Sequence, residues 1–408
     1  MEASEFRRTR RFIVKLGKML HKYGTPAFRL EAHLAEVAAY LRVHASFIST
    51  PTSLTFVIWT DMHEEEYNHA ARVEPGDLDL GSLARTDELV SSLIAGDMNL
   101  IEADERLTEI EQKAKFLHPA IMTISYGVAT GAFAVLMGAS LLDAIATMAI
   151  GFVMYLFVFW SKHSKRVLLM LEPAVAIVAG LMACAIAHYL EPGINIRLVV
   201  LSSIIVFIPG LALAIGLAEL SARHVVSGTA RVMDAIMQLF KLYFGAFLGI
   251  SLGFFLFSEV EHNPIIKMPE WSLFVAVLLL CAALVPIFNI KLKHAPWGIM
   301  CGFLSYFSTY WASKYLEFGL GTFVGAFAVG IFANLFTRFT NAPATIVLMQ
   351  GLIVLVPGSK TYIGLNSFVS GQDFVQAEHI GQETFVIFMS LVAGLIFANV
   401  LVPTKKAL

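Results

Sequence analysis

The chain has 408 residues, of which 57% are hydrophobic and only 15% charged, with a formal net charge of −2 and a mean hydropathy of +0.71. Ordinary globular chains run about 45–50% apolar and about 25% charged, so this much apolar surface needs lipid as a solvent. A soluble enzyme, a disulfide-stapled secreted scaffold and a disordered regulator are thereby excluded, and no basic field points to nucleic acid.

The first residues, MEASEFRRTRRF, lack the apolar run of a secretory signal, so membrane insertion is expected to rest on internal spans. Residues 1–115 read as a small cytosolic α+β domain. Phe6–His21 and Pro26–Arg42 are amphipathic helical patterns broken at Tyr23-Gly24-Thr25. Thr25-Pro26 reads as an N-cap followed by Pro at the first helical position. His44–Thr50 and Ser53–Thr60 are β-rich runs split by Pro51, with a third strand expected at Tyr67–Glu74. Helices are expected near Leu80–Ala95 and Leu100–Ala114.

After residue 115 come ten apolar stretches, each long enough for a ~30 Å hydrocarbon layer. They are 117–138, 140–160, 167–190, 198–216, 232–257, 271–290, 294–312, 319–337, 342–358 and 381–403. With both termini in the cytoplasm, the inner loops carry Lys162, Lys165, Arg166, Arg223, Arg231, Lys291, Lys293, Arg338, Lys405 and Lys406. The outer loops carry only Arg197, Lys267, Lys314 and Lys360. That asymmetry fits the positive-inside rule and an even number of spans.

The membrane part also repeats itself. Val206-Phe207-Ile208-Pro209-Gly210 is matched 148 positions on by Val354-Leu355-Val356-Pro357-Gly358, and Ile215-Gly216-Leu217 by Ile363-Gly364-Leu365. The same offset carries most spans onto spans, which implies two five-helix repeats, 116–260 and 261–408. Five being odd, the second repeat is inverted. Inverted repeats are a construction of secondary transporters, with the substrate near the midplane at their interface. Pro and Gly adjacent within a span remove a backbone donor and allow unusual dihedrals, so the helix breaks and its freed backbone groups can meet a polar solute. Pro209, Gly210, Gly216, Pro357, Gly358, Gly364, Asn366, Ser202 and Ser203 are therefore the expected substrate path, with Asn289 and Asn334 as weaker candidates. The semi-polar stretches Leu217–Ala230 and Ser359–His379 read either as two gates or as interfacial helices.

Ionisable groups inside spans are costly and so point to function. Glu172, Asp234 and Lys241 are the expected proton-coupling residues; Asp143, at a span's start, is a weaker candidate. Asp234 and Lys241 are seven apart and share a helical face, while a surface pair of Asp234 with Arg231 is the alternative. No catalytic constellation is visible. His63 and His69 lie six apart in an expected hairpin turn, where a zinc-peptidase helix needs four, and there is no Walker A or G-x-S-x-G motif. No metal or cofactor is expected, and Cys184, Cys281 and Cys301 read as buried thiols.

These pieces together resemble the threonine/serine exporter family over nearly the whole chain. The resemblance rests on Gly24-Thr25-Pro26-Ala27-Phe28-Arg29-Leu30-Glu31, on Thr50-Pro51-Thr52, on the paired Ile208-Pro209-Gly210 and Val356-Pro357-Gly358, and on Ser227-Gly228. One departure is Phe28 before Arg29, where the family pattern has a Thr; Thr25 is the only nearby hydroxyl. The resemblance implies a multi-pass protein of the cell membrane that exports small hydroxy-amino acids, driven by the proton gradient. A split two-protein relative is linked to succinate, so a small organic acid is an alternative substrate. It also singles out Arg29, Glu31, Thr50 and Thr52 in the N-terminal domain. A homo-oligomer is compatible with this reading, and so is a membrane-anchored hydrolase or sensor acting through residues 1–115.

Overall fold

The computed structural model describes residues 3–61, 63–74, 76, 78–112, 117–190, 193–257, 268–316, 319–355, 358, 362–363 and 374–403. Helices α1 (Ala3–Lys22) and α2 (Ala27–Tyr40) precede an antiparallel sheet of β1 (His44–Thr50), β2 (Ser53–Thr60) and β3 (His63–Arg72) in the order β1-β2-β3. Alternate residues of β2 face inward, so Leu54, Phe56 and Ile58 are buried with Leu16, Leu20, Leu30 and Leu34 of the two helices. Helices α3 (Leu80–Ala95) and α4 (Leu100–Gln112) complete this N-terminal unit.

Two local expectations are corrected here. His63–His69 is strand rather than hairpin turn, because Thr60 pairs with His63 and the reversal falls before it. Thr25 does not cap α2: the cap position is Pro26, without a side-chain bond, and the Thr25 hydroxyl is buried with no partner among the described residues.

The rest of the described chain is mainly helical. Its segments are α5 (Pro119–Leu136), α6 (Leu141–Ser161), α7 (Lys165–Leu169), α8 (Leu171–Tyr189), α9 (Ile196–Ser203), a 3-10 turn (Ile205–Phe207), α10 (Gly210–Ser221) and α11 (Val225–Phe257). They continue with α12 (Trp271–Ile287), α13 (Ala295–Ala312), α14 (Leu320–Thr340), α15 (Thr345–Leu355) and α16 (Phe374–Leu401). Helices thus occur at each position read as a span. Among the described residues six are long and apolar enough to cross a membrane alone, and a seventh if the pair bent by 47° between α9 and the segment Ile205–Ser221 is one span. Many large apolar side chains on these helices point outward, such as Phe244, Phe247 and Phe255 of α11, as a lipid-facing surface requires.

The packing recurs at matched positions. Helix α11 lies on α8 as α16 lies on α14, and α5 packs against α12. A β-carbon on Gly245 of α11 would lie 2.6 Å from the Pro173 carbonyl oxygen and 2.9 Å from Ala176 Cβ. On Gly394 of α16 it would lie 2.6 Å from the Phe323 carbonyl oxygen and 2.8 Å from Ala326 Cβ. Gly151 of α6 likewise abuts the Thr130 hydroxyl of α5, and Gly302 of α13 abuts the Cys281 thiol of α12. Small residues let helix backbones approach this closely where lipid supplies no hydrophobic drive between helices.

The N-terminal unit rests on a particular set of helix ends. Leu80 N–H donates to the Phe288 carbonyl, and Asn289 Nδ2 donates to Asp79 at 3.0 Å, at the end of α12. Lys291 and Lys293, before α13, both reach Glu88 at 2.7 Å. Further contacts fall at the end of α10 and the starts of α11 and α15.

Candidate functional site

Gly358 of the second Pro-Gly pair meets the first pair. Pro209 has no N–H to give, the backbone is extended at Ile208 (φ −69°, ψ 121°), and helix resumes at Gly210. A β-carbon on Gly358 would lie 3.0 Å from Ile208 Cγ2 and 3.2 Å from Gly210 Cα, so Gly358 abuts this break. Pro357, Gly364 and Asn366 lie outside the described residues. Gly216 is used otherwise: it lets α10 close on α11, where a β-carbon would meet Val232 at 2.8 Å and the Gly228 carbonyl at 3.2 Å.

Ahead of the two Pro-Gly pairs, α9 and α15 each hold a buried polar atom without a partner among the described residues. Ser202 Oγ and Gln350 Oε1 have no hydrogen-bond partner among the described residues, and both side chains are fully buried. They stand seven residues before Pro209 and Pro357, respectively, and so occupy matched positions. Ser202 was legible as a candidate; Gln350 was missed, although the 148-residue offset pointed to it. Neighbouring Ser203 spends its hydroxyl on the Val199 carbonyl at 2.7 Å.

A buried carboxylate lies at the other end of α10. Glu219 has 0% exposure and accepts four hydrogen bonds. They come from Ala27 N at 2.9 Å, Ser227 Oγ at 2.9 Å, and Arg231 Nε and Nη2 at 3.3 and 3.2 Å. Ala27 opens α2, whose first amides have no intrahelical acceptor. Glu219 thus supplies from the apolar helices the cap that Thr25 does not, and its charge suits the positive end of the helix. Arg231, the alternative surface partner of Asp234, is thus bonded to Glu219, and Asp234 is exposed. Glu219 was missed because its stretch reads as an amphipathic surface; its spacing of eight and twelve to Ser227 and Arg231 across a tight turn was the available signal.

The remaining ionisable candidates separate. Lys241 pairs across helices with Glu172 at 3.9 Å, with side-chain exposures of 42% and 19%. Asp143 is structural: it forms a capping box with Ser140 and accepts from Asn195 N at 2.7 Å. Asn334 donates to Asn399 and to the Val402 carbonyl, at 2.9 and 2.7 Å.

The Gly24–Glu31 segment lies against this end of the helices. Gly24 takes a positive φ of 81° in the turn between α1 and α2. Arg29 Nη1 donates to Thr345 Oγ1 at 2.6 Å, and burial pushes its guanidinium down to about 10. Glu31 accepts from Ser49 N at 2.7 Å and faces His224 Nδ1 at 3.7 Å; burial raises its carboxyl, the largest effect, against the lowering by these two partners. Thr50 closes the β1–β2 turn through Ser53, and Thr52 is exposed.

Between α2, α10, α14, α15 and α16 is a cavity of about 250 Å³, lined among others by Phe28, Arg29, Ser221, Leu352, Asn334 and Asn399. No group of three or more His, Cys, Asp or Glu side chains that could hold a metal ion occurs among the described residues.

Two family models match the chain. Residues 11–253 match a threonine/serine exporter model, and residues 273–401 match a second model of the same description. A pheromone-regulated membrane protein 10 of Debaryomyces hansenii is 26% identical, covering 85% of this chain and 35% of the relative. The protein of that name from Saccharomyces cerevisiae is 23% identical, covering 88% of this chain and 47% of the relative. The chain therefore spans about a third to a half of the length of these curated relatives. No solved structure matches it.

Proposed function

The chain belongs to the threonine/serine exporter family, and on that premise we propose that it is a secondary exporter of small polar metabolites, threonine and serine foremost. In this reading ten spans form two inverted five-helix repeats, and the solute crosses where the repeats meet. The observation that carries it is the contact of Gly358 with Ile208 and Gly210, which brings the glycine of the second Pro-Gly pair to the helix break at Pro209. The repeated glycine contacts on α8–α11 and α14–α16 support the same symmetry.

The inversion has separate support. The N-terminal unit meets the C-terminal ends of α10 and α12 and the N-terminal ends of α11, α13 and α15. Strict alternation of ten spans puts those ends on one side. The same loops carry the basic excess, so that side is taken as the cytoplasm, with both termini there.

Proton coupling is assigned to partly or wholly buried carboxylates, Glu172 beside Lys241 and Glu219 beside Arg231. Asp234 is exposed and is the weaker candidate. The test is efflux of labelled threonine from vesicles holding the full chain, with and without an imposed pH gradient. Gradient-driven efflux that falls at least tenfold in Glu172→Gln or Glu219→Gln is expected. Efflux indifferent to the gradient and to both substitutions would remove the proton assignment, and no threonine movement at all would remove the amino-acid assignment.

A further inference from the structure

We propose that the cavity beneath the N-terminal unit is a carboxylate-binding site anchored by Arg29. The inference rests on the exporter reading and names the chemical group its solute presents. Arg29 is the only ionisable side chain among the described residues lining the cavity, so among them it places a positive charge with no acid beside it. No carboxylate among the described residues pairs with it: its one hydrogen-bond partner is the Thr345 hydroxyl, which uses a single N–H of five. Arg29 is half-buried with its other N–H groups uncommitted, and a carboxylate accepting two parallel N–H bonds is the group whose geometry such a guanidinium matches.

Size and polarity agree. A cavity of about 250 Å³ lies below the roughly 300–1,000 Å³ of sites for drug-sized ligands, and suits a metabolite of few heavy atoms. Its walls are mainly apolar, with Ser221, Asn334 and Asn399 as the neutral polar groups. A solute there touches α10 of the first half, α14, α15 and α16 of the second, and α2 of the N-terminal unit. Recognition would then belong jointly to the N-terminal unit and the apolar helices. An amino acid and a dicarboxylate share the required group, and the experiment separates them.

Binding is measured by calorimetry on the full chain in lipid nanodiscs, with L-threonine, succinate and L-threoninol, which has a hydroxymethyl in place of the carboxylate. Threonine or succinate is expected to bind at least tenfold more tightly than threoninol. Arg29→Gln should remove that advantage and Arg29→Lys keep part of it. Leu352→Trp, which fills the cavity and leaves Arg29 intact, should abolish binding, with thermal melts verifying that each variant is folded. Threoninol binding as tightly as the better of the two carboxylates, undiminished binding in Arg29→Gln, or no binding of either carboxylate overturns the proposal. Vesicle transport separates the two readings. Arg29-dependent binding without movement of solute keeps the site and sinks the exporter. Threonine efflux unaffected by Arg29→Gln, with threoninol carried equally, keeps the exporter and sinks the site.

Discussion

Helices α5 and α12 end in the same turn but put it to different use. Both finish on a residue of positive φ, Gly138 (83°) and Asn289 (55°), 151 positions apart. In both, the amide of that residue and the next return to carbonyls of the last turn: Gly138 to Val135 and Ala139 to Ala134, Asn289 to Pro286 and Ile290 to Val285. Nothing lies within 4 Å of where a Gly138 side chain would start, whereas the Asn289 side chain holds Asp79 of the N-terminal unit. Glycine meets the backbone requirement most cheaply; asparagine meets it and adds an anchor. Divergence between matched positions thus marks where the N-terminal unit docks.

The largest expected effect tests the docking itself. Glu219→Ala leaves Arg231 and the Ala27 amide without their acceptor, and breaking a buried pair costs about 3–5 kcal/mol. Its melt should fall and proteolysis between the N-terminal unit and α5 should accelerate; unchanged proteolysis would mean that this carboxylate does not hold the two parts together. Next come the matched glycines. Gly245→Leu and Gly394→Leu should each destabilise by at least the roughly 1–3 kcal/mol of overpacking, and by similar amounts. A severe loss in one and none in the other, by thermal melting in detergent, would break the equivalence of the halves.

The C-caps give a finer contrast. Asn289→Gly keeps the turn and loses one hydrogen bond, about 1 kcal/mol by denaturation. Gly138→Asn should cost only a few tenths, since asparagine tolerates the left-handed region and meets no neighbour. The reverse order would mean that the anchor assigned to Asn289 is not one. The smallest effect is on pH. Burial holds the His21 imidazole below its usual 6.5, against the raising effect of its bond to the Pro51 carbonyl at 3.1 Å. The unfolded chain therefore takes up the proton first, so stability is full above about 6.5 and lost as the pH falls below it. His21→Gln should flatten that slope in melts between pH 7.5 and 5.5, and an unchanged slope would place the titration elsewhere.

Much of this was legible in the sequence because it is local. Apolar runs marked the helices and the 148-residue offset related Pro209-Gly210 to Pro357-Gly358, whereas Asp143, read as a functional candidate, forms instead the capping box that its spacing of three from Ser140 allows. What was not legible is contact across the fold. Ala27 and Glu219 are 192 positions apart, and Glu172 finds Lys241 on another helix, where no helical period relates them. The stretch Leu217–Ala230 reads as surface because six of its fourteen residues are polar; Glu219 is enclosed by α2 and α11 together.

The inversion of the two halves is tested most directly by which side of the membrane reaches the ends after the matched caps. Cys184, Cys281 and Cys301 are buried, so single cysteines at Leu141 (59% exposed) and Leu292 (85% exposed) can be read against a low background. An impermeant maleimide applied to whole cells should label Leu141→Cys and spare Leu292→Cys, and inside-out vesicles should give the opposite. Labelling of both positions from the same side would contradict two inverted halves.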